Sequence, residues 1–258
     1  MENTQKAFER LIEIMNELRE KCPWDRKQTL ESLRKLAIEE TYELGEAILD
    51  KDMPGIKEEL GDLLLHIVFY AKIGEEKDAF NLTDVLNAIN AKLIRRHPHV
   101  FGETEAKDDE EVKQNWEQLK RKEGDKSVLA GVPASLPAMV KSNRIQEKVR
   151  AVGFDWDRRE QIWDKIKEEL DELKVEIDDA NQEEAEKEFG DLMFSVINAA
   201  RLYNIDPESA LEKTNKKFMS RFNYLEQQTL KKGRSLYDMN LEEMNRIWED
   251  AKAYDNQK

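Results

Sequence analysis

The sequence has little of what secreted and membrane-spanning proteins need. Cys22 is the single cysteine among 258 residues, so an intramolecular disulfide and a paired-cysteine metal site are both excluded. The longest apolar stretches, residues 63–71 and 192–200, are well short of the roughly 20 residues that a membrane helix requires. The first residues carry charge throughout and lack the apolar core of a signal peptide. We therefore expect a cytoplasmic protein that has no membrane partner.

Positive charge is scarce relative to negative charge. Lysine and arginine together number 42, whereas aspartate and glutamate number 56, which gives a net charge of -14. At that balance the electrostatic field of the protein repels phosphate backbones and anionic lipid surfaces. We therefore expect no nucleic-acid partner.

Glycine and proline, the residues that interrupt helices, are also few, at 10 and 6. Apolar side chains instead recur every three or four positions, for example at Phe8, Leu11, Ile12, Met15 and Leu18. No segment alternates apolar and polar residues over a useful strand length, and the abundant Glu, Lys, Leu and Ala favour helix. The sequence predicts an all-α fold.

The helix-breaking residues gather in the stretch KEGDKSVLAGVPASLP, which ends at Pro137. We predict an N-terminal domain over residues 1–124, a linker over 125–137 and a C-terminal domain over 138–258. We expect each domain to be a helical module of the four-helix-bundle type.

The two predicted domains repeat each other. Six positions recur after an interval of 129 residues: Glu39, Glu40, Glu43, Glu59, Gly61 and Asp62 correspond to Glu168, Glu169, Glu172, Glu188, Gly190 and Asp191. Three further features recur in the same order: Trp24-Asp25-Arg26 as Trp156-Asp157-Arg158, Lys92 and Arg96 as Lys217 and Arg221, and Trp116 as Trp248. The shared order and spacing predict two tandem copies of one module.

Each copy contains the pattern EExxE and, after a turn, the pattern ExxD. Positions i, i+1 and i+4 of a helix lie within roughly a 100° arc, so each segment can direct its carboxylates to one point. Crowded carboxylates at the edge of a core are costly without a cation, and an all-oxygen set suits Mg²⁺ or Mn²⁺. A solvated acidic helix face is the alternative interpretation.

The histidines weigh against a di-iron bundle. No glutamate stands three positions before His66, His97 or His99, so the Glu-x-x-His pairs of such bundles are absent. His66 lies four residues after Asp62 and could support a metal ligand, but its counterpart in the second half is Ser195. We interpret His66 as a core or solvated histidine.

The recurring basic pairs and tryptophans each have two interpretations. Lysine and arginine one helical turn apart suit either a solvated helix face or contacts to phosphate oxygens. Trp116 and Trp248 stand in charged segments, where the ring either packs on the core or stacks on a nucleobase. The residues alone leave both interpretations open.

Essentially the whole chain resembles the two-domain bacterial form of the MazG-type nucleoside triphosphate pyrophosphohydrolases. The resemblance rests on KCPWDRKQT, AIEETYEL, EELGDLLLHIVFYA and RRHPHVFG in the first half, and on KIKEELDEL, EKEFGDLMFSVINAARL and NKKFMSRF in the second. It implies an all-α fold related to dUTPase and phosphoribosyl-ATP pyrophosphohydrolase, usually as a homodimer. It also implies Mg²⁺-dependent hydrolysis of (d)NTPs to monophosphate and pyrophosphate.

The resemblance implies roles for particular residues and makes the C-terminal half the principal catalytic domain. Its implied metal ligands are Glu169, Glu172, Glu188 and Asp191, and its implied nucleotide contacts are Lys165, Glu168, Lys217, Arg221 and Trp248. The first half keeps the corresponding acids Glu40, Glu43, Glu59 and Asp62. Glu168 is the candidate for accepting a proton from the attacking water.

One position departs from the family pattern. Relatives carry a lysine shortly before ExxD, where this chain has Glu184, and Lys187 stands nearer the motif. A different class of function also fits the sequence: a regulatory or partner-binding helical bundle that binds metal and nucleotide without turnover. Release of pyrophosphate from NTP would distinguish the enzyme from such a bundle.

Overall fold

The computed structural model describes residues 2–102, 112, 127–231 and 233–255. The chain divides into two compact units, residues 1–116 and 117–258. The described part contains helices and no strand, which confirms the predicted all-α fold. The predicted linker over 125–137 stays a prediction, and Trp116 lies outside the described residues.

Within residues 2–102, the first unit contains four long helices and one short helix. They are α1 (Glu2–Lys21), α2 (Leu30–Asp50), α3 (Met53–Glu76), α4 (Leu82–Arg96) and α5 (Pro98–Phe101), with a 3-10 turn at Asp25–Lys27. Capping boxes begin two of these helices, because the Thr29 and Asn81 side chains accept hydrogen bonds from the backbone N–H groups of Ser32 and Asp84.

The described residues of the second unit, 127–231 and 233–255, form five helices. They are α6 (Ala138–Arg150), α7 (Ile162–Asp178), α8 (Gln182–Leu202), α9 (Pro207–Lys231) and α10 (Leu241–Asp255), with 3-10 turns at Arg159–Gln161 and Leu236–Asp238. Among the residues that the structure describes, no helix combines the length and the apolar character needed to cross a membrane.

The same tight turn joins α2 to α3 and α7 to α8. Each turn contains a residue in the left-handed region, Lys51 with φ of 57° and Ala180 with φ of 55°. In both turns the next backbone N–H donates to a helical carbonyl five residues earlier, over 2.9 Å. The two helix pairs are therefore antiparallel hairpins of matching construction, as expected for two copies of one module.

Each hairpin packs on buried apolar side chains of its own unit. In the first unit, Met15, Leu33 and Val68 bring together α1, α2 and α3, and Arg19 of α1 pairs with Glu76 of α3 at 2.5 Å. In the second unit, buried apolar side chains come from α7, α8, α9 and α10: Ile162, Leu173, Ala185, Ile197, Ala199, Leu225, Ile247 and Ala251. Burial of one face of each hairpin leaves the acidic segments at the edge of its core.

Candidate active site

A first carboxylate cluster forms between α2 and α3. The hairpin sets the EExxE segment of α2 against the ExxD segment of α3. Glu40, Glu43 and Glu59 each offer a carboxylate oxygen, and these oxygens all lie within 4.8 Å of one another. Three oxygens at that separation are close enough to share one cation.

A second carboxylate cluster forms in the same way between α7 and α8. Glu169, Glu172 and Glu188 again offer oxygens within 4.8 Å of one another. These residues are the counterparts of the first cluster at the interval of 129. The duplication found in the sequence therefore produces two sites of equivalent construction.

The remaining acid of each predicted ligand set lies nearby, outside the group of three. Asp62 is half-buried on α3, and Asp191 is exposed on α8. The charge of Asp62 contributes to the raised pKa of Glu40 and Glu59, and the charge of Asp191 does the same for Glu188. Each aspartate is thus close enough to add negative potential to its cluster.

The clusters hold more negative charge than their surroundings stabilise. Burial, followed by the charges of neighbouring acids, raises the pKa of Glu40, Glu59 and Glu188 above the usual value for glutamate. The Oε2 atom of Glu59 is also buried, and no described residue forms a hydrogen bond with it. A hard divalent cation would relieve both costs, and the all-oxygen donor set fits Mg²⁺ or Mn²⁺.

Lys165 is paired with the second cluster. Its Nζ atom lies 2.7 Å from Glu168 and 2.8 Å from Glu169. The hydrogen bonds to these two carboxylates raise the pKa of Lys165, so the side chain stays protonated at neutral pH. A residue that the family resemblance assigned to the nucleotide therefore contacts a predicted metal ligand and the candidate base.

The first cluster has different neighbours. Leu36 occupies the position equivalent to Lys165, and His66 occupies the position equivalent to Ser195. His66 is buried, and its Nε2 atom lies 3.9 Å from Oε1 of Glu40. Burial lowers the pKa of His66, so the ring is neutral at pH 7. In the sequence, the position of His66 four residues after Asp62 indicates that the ring lies near the first cluster.

The other predicted nucleotide contacts lie on α9 and α10. The Arg221 guanidinium stands 5.9 Å from the centroid of the Trp248 ring, and Phe218 packs on the same ring at 5.0 Å. Trp248 is half-buried and Lys217 is exposed. The structure therefore brings Arg221 and Trp248 together, and the partly exposed indole is compatible with either interpretation of this tryptophan.

Near Glu184, the position that departs from the family pattern, Lys187 forms ion pairs with acids of its own helix. Its Nζ atom lies 2.6 Å from Glu184 and 3.5 Å from Glu183, all in the first turns of α8. Surface pairs of this kind are weak, so Lys187 can leave them for another anion at little cost.

Fold and site together define a class of protein: an all-α chain with two helical hairpins, each presenting three carboxylates that could hold a divalent metal. The family model of the MazG nucleotide pyrophosphohydrolase domain matches residues 28–101 and 158–225, which include both clusters. The chain belongs to the MazG family.

Relatives match over nearly the whole chain. One is the nucleoside triphosphate pyrophosphohydrolase/pyrophosphatase MazG of Thermotoga maritima, 46% identical over 96% of both chains. Another is the nucleoside triphosphate pyrophosphohydrolase of Escherichia coli, 40% identical over 95% of this chain and 97% of the relative. The uncharacterized protein YabN of Bacillus subtilis is 45% identical, and the match covers 95% of this chain and 51% of YabN. The resemblance seen in the sequence is thus confirmed.

Proposed function

We propose that the protein is a nucleoside triphosphate pyrophosphohydrolase that converts (d)NTPs to (d)NMPs and pyrophosphate, with Mg²⁺ as its metal and Mn²⁺ as the alternative. The observation that carries the proposal is the second cluster, in which three carboxylate oxygens lie within 4.8 Å of one another in a MazG-family chain. Two relatives that align over almost their full length are named for this activity.

Each part of the second unit would have its own task. Glu169, Glu172, Glu188 and Asp191 would hold the metal, which supplies charge neutralisation at the phosphates and activation of a bound water. Lys165, Lys217 and Arg221 offer cations to the remaining phosphate oxygens, and Trp248 offers an aromatic face to the base. The equivalent first-unit ligands would be Glu40, Glu43, Glu59 and Asp62.

The proposed reaction is a hydrolysis of the bond between the α- and β-phosphates. The oxygen of water bonds to phosphorus, the bridging P–O bond breaks, and pyrophosphate leaves. Glu168 is exposed at the rim of the second cluster, and its carboxylate can accept the proton that the water loses. Its hydrogen bond from Lys165 at 2.7 Å holds it there.

A homodimer would cover apolar surface that the single chain leaves exposed. Side chains at i, i+4 and i+7 form an exposed stripe on each cluster-bearing helix: Leu60, Leu64 and Ile67 on α3, and Phe189, Met193 and Val196 on α8. Such stripes favour packing against another helix pair, and a second copy offers the same stripe. We place this dimer in the cytoplasm, with nucleoside triphosphates as its ligands.

The test is an assay of all eight NTPs and dNTPs with identification of the products. We expect NMP and pyrophosphate, and we expect exhaustive chelation of divalent ions to stop the reaction. Formation of NDP and orthophosphate would contradict the proposed chemistry. Binding of NTP without steady release of pyrophosphate would favour the non-catalytic bundle instead.

A further inference from the structure

The two carboxylate clusters contain equivalent candidate ligand acids, but a lysine pairs with the second cluster. Lys165 is ion-paired with Glu168 and Glu169 at 2.7 and 2.8 Å. The equivalent position of α2 is Leu36, which packs on the first core. Among the residues that the structure describes, the second cluster therefore carries an ammonium that the first cluster lacks.

Lys165 forms an ion pair with Glu169, a carboxylate that a metal at the second cluster would also bind. The side chain of Glu169 is only 7% exposed, and it belongs both to the ion pair and to the group of three oxygens. A divalent ion bound to Glu169 must displace the ammonium or lie a few ångströms from it. At such a separation the repulsion lowers metal affinity by about tenfold or more, even in a water-like dielectric.

The part of the chain that the structure describes offers the first cluster no such competitor. Within the described ranges, Glu40, Glu43 and Glu59 form no ion pair with a lysine or arginine, and the nearby His66 Nε2 lies 3.9 Å from Glu40. The Oε2 atom of Glu59 is buried and lacks a hydrogen-bond partner. A bound cation would satisfy an acceptor that nothing in the described protein satisfies.

We propose that the two clusters are unequal metal sites, in which the first binds a divalent ion at least about tenfold more tightly than the second because Lys165 weakens the second. The inference rests on the proposed function, which assigns both clusters as metal sites. The first unit therefore retains its divalent ion under conditions in which the second unit releases and rebinds its own. In the second unit, the phosphates of an incoming nucleotide draw Lys165 away from Glu169 and so favour metal binding beside them.

The test measures binding of Mn²⁺ alone to the metal-stripped, full-length protein, with unbound Mn²⁺ followed by electron paramagnetic resonance. Glu43→Gln disables the first cluster and leaves the second to be measured, whereas Glu172→Gln does the reverse. We expect the Glu172→Gln protein to bind Mn²⁺ at least about tenfold more tightly than the Glu43→Gln protein, and this ratio to shrink with added salt.

Exchanging Lys165 and Leu36, the residues that differ between the clusters, tests whether the lysine causes the difference in Mn²⁺ affinity. Lys165→Leu, added to Glu43→Gln, should tighten Mn²⁺ binding by about tenfold. Lys174→Leu is the matched control, because it removes an ammonium from the same helix that pairs with exposed Asp171 at 3.0 Å. The control should change affinity less than about twofold, since solvent and salt screen that pair.

The reverse exchange, Leu36→Lys, added to Glu172→Gln, should weaken Mn²⁺ binding at the first cluster. Because Leu36 packs on the core, circular dichroism should first check that the Leu36→Lys protein is folded. If it is not folded, the effect of Lys165→Leu on Mn²⁺ affinity tests the inference alone. Equal affinities, a tighter second cluster, or no effect of Lys165→Leu would overturn the inference. Absence of Mn²⁺ binding at both clusters would instead refute the metal assignment in the proposed function.

Discussion

Lys51 and Ala180 occupy equivalent turns 129 positions apart, and both have left-handed backbone, with φ of 57° and 55°. Neither is glycine, the residue that adopts this conformation without steric cost. The turn between the EExxE helix and the ExxD helix therefore has the same backbone conformation in both copies, although the side chains differ. In both copies this turn lies between the helices that carry the two acidic segments.

Replacement of Ala180 by glycine should stabilise the second unit. The left-handed conformation costs an alanine about 1 kcal/mol relative to glycine, so Ala180→Gly should raise the free energy of unfolding by about that amount. Urea unfolding followed by circular dichroism measures the change. Ala91→Gly, in an exposed turn of α4, is the opposite control and should destabilise by about 1 kcal/mol. A destabilising Ala180→Gly would show that this turn is not strained.

Loss of one carboxylate from each cluster should affect turnover unequally. Glu172→Gln leaves an incomplete ligand set in the proposed principal catalytic unit and should lower kcat/KM by a factor on the order of 100 or more. Glu43→Gln, the equivalent change in the first cluster, should leave a large fraction of the activity with standard NTPs. Pyrophosphate release measures both.

The control for this comparison is Glu186→Gln, which removes an exposed carboxylate of α8 outside the cluster and should leave the rate unchanged. The opposite pattern, an inactive Glu43→Gln and a nearly normal Glu172→Gln, would contradict the choice of the C-terminal unit as the principal catalytic domain.

The ion pair between Asp155 and Arg201 should make stability depend on pH. Burial alone raises the pKa of Asp155, but hydrogen bonds from Arg201 and the Trp156 backbone N–H, with the charges of Arg201 and Arg150, outweigh it and lower the pKa. A lowered pKa in the folded state stabilises the protein above the unfolded value of about 3.9, and this contribution disappears as the pH falls through the folded value.

Asp155→Asn should therefore lower the free energy of unfolding by about 2 kcal/mol at pH 7, because the largely buried Arg201 loses its charged partner. The difference from the parent protein should shrink below about pH 4. Urea unfolding between pH 3 and 7 tests this. Asp171→Asn, in an exposed pair with Lys174, should cost less than about 0.5 kcal/mol. A deficit that is the same at every pH would exclude the ionic explanation.

The proposed homodimer should depend on the exposed stripes of α3 and α8. Sedimentation velocity of the parent protein at micromolar concentration should show a dimer. Ile67→Glu together with Val196→Glu should shift it toward monomer, because burial of a carboxylate in an apolar interface is costly. Ile205→Glu, at an exposed position after the end of α8, should leave the dimer intact. A monomeric parent protein would count against the proposal.

Local sequence patterns were sufficient for the fold class and for the repeat. Apolar residues at helical spacing predicted the helices because a helix repeats every 3.6 residues, whatever lies around it. The interval of 129 residues predicted the tandem modules, and the turns at Lys51 and Ala180 follow the same interval. EExxE and ExxD also predicted which oxygens share a face, since that depends only on position along one helix.

Contacts between helices could be decided only by the tertiary structure. Glu172 and Glu188 come from different helices, and the packing of the α7–α8 hairpin sets their carboxylate oxygens within 4.8 Å. His66 lies beside Glu40 across another helix pair, and burial lowers its pKa. Lys165 turns toward Glu169, where a helix pattern alone also allows a solvated lysine. Spacing along the chain fixes a side chain's direction around its own helix, but distance, burial and charge at a site depend on how that helix packs against others.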